Sequence, residues 1–223
     1  MARAVIPPVT ATPTLAGARE RILYIAGDLF ARQGFFATTT RQIADAVGIR
    51  QPSLFHHFAS KDAIAAALLE WDLGRAFPQV RAVARAQAPA AVRLYRYLHD
   101  DLVHLAHAPY NLSGIYAEEV IGRPEFAEYD AWRNCLHDEV EGIVRAGVQA
   151  GEFIPVNTAL VRHAIAGVLV RALTLHSGGR GEGESLANEV ARLVVRGLLV
   201  DPSQLDTVQG QAGALRFGEH PEA

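Results

Sequence analysis

The chain has 223 residues, of which 50% are apolar and 20% are charged, and its formal net charge is −3. This composition is ordinary for a water-soluble globular protein and leaves ample material for a core. The charge excludes a protein coated in positive charge, although a local basic patch is enough to bind nucleic acid.

The cysteine content and the hydropathy pattern indicate the compartment. Cys135 is the only cysteine, so an intrachain disulfide is excluded and a reducing environment is expected. No apolar run approaches the roughly 20 residues that span a bilayer. The N-terminal segment is interrupted by Pro7, Pro8 and Pro13 and lacks the hydrophobic stretch of a signal peptide. We therefore expect a cytoplasmic protein that does not enter a membrane.

Helical signals dominate the chain. Strand patterns are scarce while Ala, Leu, Arg and Glu abound, which predicts an all-α protein. Residues 1–16 are rich in Pro, Thr and Ala and are expected to be disordered. The first helix is predicted from about Ala18 to Gln33, because apolar residues such as Ile22 and Leu29 recur at helical spacing, and Gly34 ends it.

The stretch Thr38–Lys61 predicts a helix, a tight turn and a second short helix. Thr39 suits an N-cap, and Gln42 three residues later completes a capping box. Gly48 stands where the first helix must stop, and glycine avoids a steric cost if the turn needs a positive φ. The second helix is predicted over Gln51–His57. Two short helices joined by such a turn match the helix-turn-helix pattern, whose second helix enters the DNA major groove.

Residues of about 19–62 resemble the DNA-binding domain of TetR-family transcriptional repressors. Two positions depart from the family pattern: Arg50 stands where a capping Ser is frequent, and Phe55 where a Tyr often meets a phosphate. The resemblance implies a DNA-binding domain over residues 17–62 and a larger helical domain for ligand binding and dimerisation over residues 63–202. The residues that carry it are Phe30, Gly34, Thr38, Thr39, Ile43, Ala44, Val47, Gly48, Leu54, Phe55, His56, His57, Phe58 and Lys61.

Eight residues are candidate contacts to a double-stranded DNA operator. Gln51, Ser53 and His56 lie on the early, outward part of the second helix, where Gln can pair with adenine and Ser with several bases. Phe55 is placed to pack on a thymine methyl group. The resemblance places a phosphate-binding lysine at residue 61. The candidates for contacts to phosphates or their neighbourhood are Thr39, Arg41, Arg50 and Lys61.

Further helices are predicted beyond the motif, and a loose tail is predicted over residues 203–223. Ser60 suits the N-cap of the first of these helices, which leads out of the DNA-binding domain. The predicted helices span about Lys61–Phe77, Pro89–His107, Ile115–Ile121, Glu125–Ala150, Thr158–Leu175 and Glu184–Val200.

The last two predicted helices point to a dimer interface. The helix over about 158–175 is apolar nearly all round, which indicates burial on more than one side. Small residues such as Ala164 and Gly167 allow a close crossing. One interpretation is a monomer core; the other is a two-fold homodimer in which helices 158–175 and 184–200 of two copies form a four-helix bundle. The resemblance implies the homodimer and, with it, a palindromic operator with paired half-sites.

The resemblance also implies a small-molecule effector, held between helices of the C-terminal domain, whose binding moves the linking helix and releases the operator. Pockets of this kind are mostly apolar with a few polar anchors. The candidate effector-binding residues are Tyr95, His99, Tyr116, Trp132 and Leu136.

Other functions stay open at this stage. The histidines are dispersed and lack the tight spacing of a metal site, so neither a metal nor another cofactor is expected. An α-helical enzyme is disfavoured, because no Gly-rich phosphate loop, nucleophile elbow or paired-carboxylate His motif occurs, and no catalytic residue is assigned. An effector-independent dimeric regulator is a further alternative, and the sequence does not distinguish a repressor from an activator.

Overall fold

The computed structural model describes residues 17–175 and 180–216, and their regular structure is helical. The predicted all-α class is confirmed: within these ranges the only extended pairing is one antiparallel bridge between Phe153 and Leu199. No helix in the same ranges is both long enough and apolar enough to cross a membrane. The predicted disorder of residues 1–16 and the end of the predicted loose tail, 217–223, lie outside the described residues.

Ten α-helices and two short 3₁₀ turns, at Pro124–Phe126 and Pro202–Gln204, form the described structure. The helices are α1 (Ala18–Gln33), α2 (Thr40–Val47), α3 (Gln51–His57), α4 (Lys61–Arg85), α5 (Ala90–Ala106), α6 (Glu118–Ile121), α7 (Ala127–Gln149), α8 (Thr158–Leu175), α9 (Arg180–Leu198) and α10 (Leu205–Ala214).

Helix α4 is longer than predicted. It was expected to end near Phe77 but continues to Arg85, although Pro78 removes one backbone donor from its interior. Val80 and Val83 beyond the proline are buried in the hydrophobic core, and this packing outweighs the lost hydrogen bond. Smaller differences concern α6, which comprises only four residues, and α9, which begins four residues before the predicted start.

The tail from Ser203 is not loose over its first part, which corrects the prediction. Residues 205–214 form α10, whose Leu205, Val208 and Ala212 are buried at helical spacing. Arg96 on α5 fixes its end by donating from Nη1 to the carbonyl oxygens of Ala212 and Leu215, at 3.1 and 3.3 Å. This helix was not predicted because the segment is short and its two faces differ little in polarity.

The first of two compact units contains the described residues up to Leu69 together with Pro109–Glu125. Helices α1, α2 and α3 pack against one another around the fully buried Ile22, Ile43 and Leu54. This division differs from the predicted domain boundary at residue 62, and it moves the segment 109–125 out of the predicted effector domain.

Two glycines explain why the segment 109–125 joins the first unit. A Cβ atom on Gly27 would lie 2.6 Å from the carbonyl oxygen of Asn111, and one on Gly114 would lie 2.3 Å from the carbonyl carbon of Phe30. The two backbones therefore approach so closely that only glycine fits. Leu112 is buried in the same segment. No periodicity signals such a contact, because it joins residues more than 80 positions apart.

The second unit contains Glu70–Ala108 and the described residues from Phe126 onward. Helix α5 lies at its centre and packs against α7, α8, α9 and α10. Its core includes the fully buried Leu94, Leu98 and Val195. Glu152 ties the turn after α7 to the start of α5, because its carboxylate accepts hydrogen bonds from the backbone N–H groups of Ala90 and Ala91, at 3.0 and 2.9 Å.

Candidate nucleic-acid interface

The helix-turn-helix has the predicted cap and the predicted turn. The backbone N–H of Gln42 donates to Thr39 Oγ1 at 3.2 Å, and the Thr39 N–H donates to Gln42 Oε1 at 2.8 Å. Gly48 adopts the left-handed conformation, with φ 78° and ψ 29°. Ile49 then returns toward the core by donating its N–H to the Ala44 carbonyl at 3.0 Å. The capping box and the glycine turn are thus confirmed.

Helix α3 is held by its buried face rather than by a cap. Arg50 occupies the N-cap position and its side chain makes no capping hydrogen bond, as the departure from the family pattern had indicated. Pro52 instead presets the backbone of the first turn. Leu54 is fully buried, which stabilises the docked helix by about 2 kcal/mol.

The side chains predicted to read bases lie on the opposite, solvent-exposed side of α3. Ser53, Phe55 and His56 are exposed, and 45% of the Phe55 surface is accessible. Gln51 differs, because it is half-buried and its Nε2 donates to Thr40 Oγ1 at 3.0 Å. Gln51 therefore has a partner on α2 that a base would have to replace.

The predicted phosphate contacts fall into two groups. Thr39, Arg41 and Arg50 are exposed around the start of α2 and of α3. Arg41 approaches Asp45 only at 3.9 Å and keeps 81% of its side-chain surface accessible, so this pair leaves its charge available. Lys61, in contrast, is half-buried and bonded within the protein.

Lys61 closes the connection between α1 and α2. Its Nζ donates to the carbonyl oxygens of Phe35 at 2.7 Å and Thr38 at 2.8 Å, and lies 4.3 Å from the centroid of the Phe35 ring. Burial lowers the pKa of Lys61. The negative charge of Asp62 acts in the opposite direction, and the positive charge of Arg123 lowers the pKa further. The structure thus gives Lys61 a positioning role that sequence reasoning missed, and its contact with a phosphate stays a prediction.

Two further residues of this unit make contacts that were not predicted from the sequence. Thr38 is buried, and its Oγ1 donates to the Gly34 carbonyl at 2.8 Å and accepts from Gln33 Nε2 at 3.1 Å. Arg123, after α6, donates from Nη1 to Asp62 Oδ1 at 2.6 Å. Arg123 and Asp62 are 61 positions apart in the sequence, so no local sequence pattern predicts their contact.

The predicted effector-binding residues do not all fall in one unit. Tyr116 belongs to the first unit, whereas Tyr95, His99, Trp132 and Leu136 belong to the second. Tyr95 is buried, its hydroxyl donates to Asn188 Oδ1 at 3.0 Å, and burial raises its pKa. His99 Nδ1 lies 3.2 Å from Asp100 Oδ1. Leu136 is buried and Trp132 half-buried, both on α7.

A polar cluster between α4 and α5 was also missed. His104 Nε2 lies 3.0 Å from Oδ1 of the buried Asp72, and the ring of Trp71 stacks on His104 at 5.1 Å between centroids. Burial, with the charge of Asp72, raises the pKa of Asp101 to about 7. Burial also raises the pKa of Tyr97 well above its usual value, and the negative charges of Asp101 and Asp72 raise it further. Within the residues described, no group of three or more His, Cys, Asp or Glu side chains has the arrangement of a metal site.

Known proteins resemble this chain in sequence and in fold. Residues 22–68 match the family model for bacterial regulatory proteins of the tetR family. The chain is 31% identical over 150 residues to the HTH-type transcriptional repressor KstR2 of Rhodococcus jostii, a match that covers 66% of this chain and 73% of KstR2. The crystal structure of Mycobacterium smegmatis AmtR is similar with a TM-score of 0.72 and 28% identity, over 92% of this chain and 99% of AmtR.

A third similar structure is AibR in complex with isovaleryl coenzyme A and operator DNA. Its TM-score is 0.65 at 19% identity, over 79% of this chain and 97% of AibR, and this likeness concerns the fold alone. The family model covers most of the first helix, the whole helix-turn-helix and the start of α4, which are the elements whose caps, turn and buried anchor are described above. Together with the match to KstR2, this places the chain in the TetR family of bacterial regulatory proteins.

Proposed function

We propose that this protein is a homodimeric repressor that binds a palindromic operator through α3 and leaves it when a small molecule binds the second unit. The observation that carries the proposal is the two-sided character of α3. Ser53, Phe55 and His56 are exposed on one side, while Leu54 is fully buried on the other. A short helix fixed by its inner face and carrying polar and aromatic groups outside suits reading of the major groove.

The contacts divide into base reading and backbone binding. Ser53, Phe55 and His56 present their side chains to the bases, and Gln51 joins them by exchanging its bond to Thr40 for one to adenine. Backbone contacts come from four residues, which fix the register of the protein on DNA. These are Thr39, Arg41, Arg50 and Lys61.

For Lys61 the geometry indicates which bond a phosphate would replace. Two of its hydrogen bonds are short, to Phe35 and Thr38, whereas the third, to the Phe36 carbonyl oxygen, is 3.5 Å long. A phosphate oxygen in place of the Phe36 carbonyl would gain a charge-assisted bond at little cost. Lys61 would then join the α1–α2 connection to the DNA backbone.

The homodimer is supported by exposed apolar side chains on α8 and α9. Leu160 is 66% exposed and Leu193 is 72% exposed, values that a monomer core would not leave. Gly167 on α8 and Gly197 on α9 have open space where a side chain would stand, which permits close helix crossing. A two-fold interface through α8 and α9 would cover these positions and pair two copies of α3 for a palindromic operator.

Release by an effector is supported by buried and half-buried polar groups of the second unit. Tyr95, Asp72 and His104 lie within a largely apolar helical unit, where a few polar groups can orient a small molecule. AibR, which has the same fold, was solved with isovaleryl coenzyme A and operator DNA. The relatives of the present chain are transcriptional regulators and not enzymes, so the alternative of an α-helical enzyme is set aside. A regulator of bacterial DNA acts in the cytoplasm.

The proposal is tested by selecting binding sites for the purified protein from a random DNA pool. We expect an enriched palindrome with two half-sites about one helical turn apart, bound by a dimer. Gln51→Ala should change the preferred sequence, whereas Gln149→Ala, an exposed substitution on α7 outside the proposed dimer interface, should not. Failure to enrich any sequence would refute the proposed function. An enriched sequence that stays bound in the presence of every candidate metabolite would instead favour an effector-independent regulator.

A further inference from the structure

The half-buried Arg123 contacts two carboxylates and two aromatic rings. Its Nη1 lies 2.6 Å from Asp62 Oδ1, and its Nη2 lies 3.1 Å from Glu125 Oε1. Its guanidinium carbon lies 5.4 Å from the centroid of the Phe35 ring and 5.9 Å from that of Phe36. All of these residues belong to the first unit. The arginine thus joins the segment after α6 to the start of α4 and to the connection between α1 and α2.

Asp62 is the reason why this position matters for DNA. It lies in the first turn of α4, directly beside Lys61, and 38% of its side-chain surface is exposed. The N-terminus of a helix attracts anions, and a DNA phosphate and a carboxylate compete for the same end. The Asp62 carboxylate would repel the phosphate that Lys61 is proposed to bind unless a second cation offset its charge. The Arg123 guanidinium supplies that cation.

Both cations lie close to one aromatic ring, that of Phe35. The Phe35 ring has Lys61 Nζ at 4.3 Å and the Arg123 guanidinium at 5.4 Å from its centroid, and its carbonyl accepts the 2.7 Å bond from Lys61. Gly114 allows the Arg123 segment to approach α1, because any Cβ there would meet the backbone of Phe30 at 2.3 Å. Arg123 is therefore held in place from its own segment as well as by its ion pairs.

We propose that Arg123 is a positioning residue of the DNA interface, which neutralises and holds Asp62 so that the start of α4 and Lys61 can face the DNA backbone. Arg123 itself does not touch the DNA. This inference rests on the proposed function, and it assigns to the segment 109–125 a part in DNA binding that the helix-turn-helix alone does not contain.

The test is a charge-rescue cycle with Arg123→Gln, Asp62→Asn and the double variant, each titrated with the selected operator by fluorescence anisotropy at several salt concentrations. We expect Arg123→Gln to weaken binding roughly fivefold per half-site, the factor that corresponds to one partly exposed charge pair. The double variant has the net charge of the wild type and should recover to within about twofold, with an unchanged salt slope, because no phosphate contact is lost.

Each other outcome has a defined meaning. A double variant as weak as Arg123→Gln, or one whose salt slope falls by about 1, would overturn the proposal and make Arg123 a direct phosphate contact. Arg123→Lys serves as the second variant: it keeps the charge and should retain most of the affinity even if Arg123→Gln folds poorly. Melting temperatures of all variants identify losses due to folding. A wild-type protein that binds no sequence would refute the proposed function, whereas binding without rescue would refute only the role of Arg123.

Discussion

Replacing Gly114 by alanine should destabilise the first unit and leave the second one intact. The added Cβ would lie 2.3 and 2.4 Å from the carbonyl carbon and oxygen of Phe30, and 2.6 Å from the nitrogen of Ala31. These are backbone atoms inside α1, so no side chain can rotate away and the segment 109–125 must move. Overpacking of this kind costs about 1–3 kcal/mol, and a clash with backbone belongs at the upper end.

Gly142→Ala on α7 is the matched control. Apart from its chain neighbours and the nearby backbone of its own helix, no atom lies within 4 Å of a Cβ at that position. Alanine should therefore stabilise the protein there by about 0.5–1 kcal/mol through helix propensity alone. The same Gly→Ala substitution is thus expected to destabilise the protein at residue 114 and to stabilise it at residue 142, because the space around the two glycines differs.

The two units can be observed separately during thermal unfolding. The two tryptophans, Trp71 and Trp132, both lie in the second unit, so their fluorescence reports on that unit, while circular dichroism reports on all helices. Gly114→Ala should shift the circular dichroism transition of the first unit downward by about 12–24 °C, at roughly 4–8 °C per kcal/mol for a unit of this size and a cost near 3 kcal/mol. The tryptophan transition should shift less.

A second variant strengthens the test. Gly27→Ala places its Cβ 2.6 Å from the Asn111 carbonyl oxygen, on the other side of the same contact. Once one alanine has displaced the segment, the second should cost less, so the double variant should be less unstable than the sum of the singles. A Gly114→Ala protein as stable as Gly142→Ala would refute the close packing on which this reasoning depends.

Three further predictions address the interface, the dimer and the polar cluster. Lys61→Ala should lower stability by about 2 kcal/mol in urea unfolding, because the Phe35 and Thr38 carbonyls lose their donor; weaker DNA binding with unchanged unfolding would contradict this. Leu193→Glu should give monomers in sedimentation equilibrium, since it charges a side chain that is 72% exposed on α9, whereas Phe36→Glu, exposed to 60% in the first unit, should leave dimers. Asp101 has its pKa raised to about 7 from 3.8, so the folded protein binds more protons and loses stability as pH rises between these values; Asp101→Asn should raise the melting temperature more at pH 8 than at pH 5, and an equal rise at both would contradict the shift.

The helix-turn-helix could be predicted because its determinants are local. The Thr39–Gln42 box and the Gly48 turn act over three or four residues, and sequence spacing alone reveals such signals. The outward side of α3 was predicted from the same spacing, and in the structure Leu54 is buried on the opposite side. Contacts of this range need no knowledge of the rest of the fold.

The parts that escaped prediction depend on contacts between distant residues. Lys61 was assigned to phosphate, but its partners Phe35 and Thr38 lie 26 and 23 positions away. Tyr116 was grouped with effector-binding residues because it is an aromatic residue in the C-terminal part, yet its segment packs in the first unit. Helix phase and backbone proximity decide such placements, and neither can be obtained from one sequence.

The discontinuity of the first unit also has a consequence for how the protein is made. Synthesis delivers α1 to α3 early, but the segment that covers α1 around Gly27 and Phe30 ends only at Glu125. At roughly 5–20 residues per second, the chain between Leu69 and Glu125 takes about 3–11 s to emerge. During this interval the DNA-binding unit on the ribosome lacks part of its own core, so it reaches its final form only after the whole of α5 has also been made.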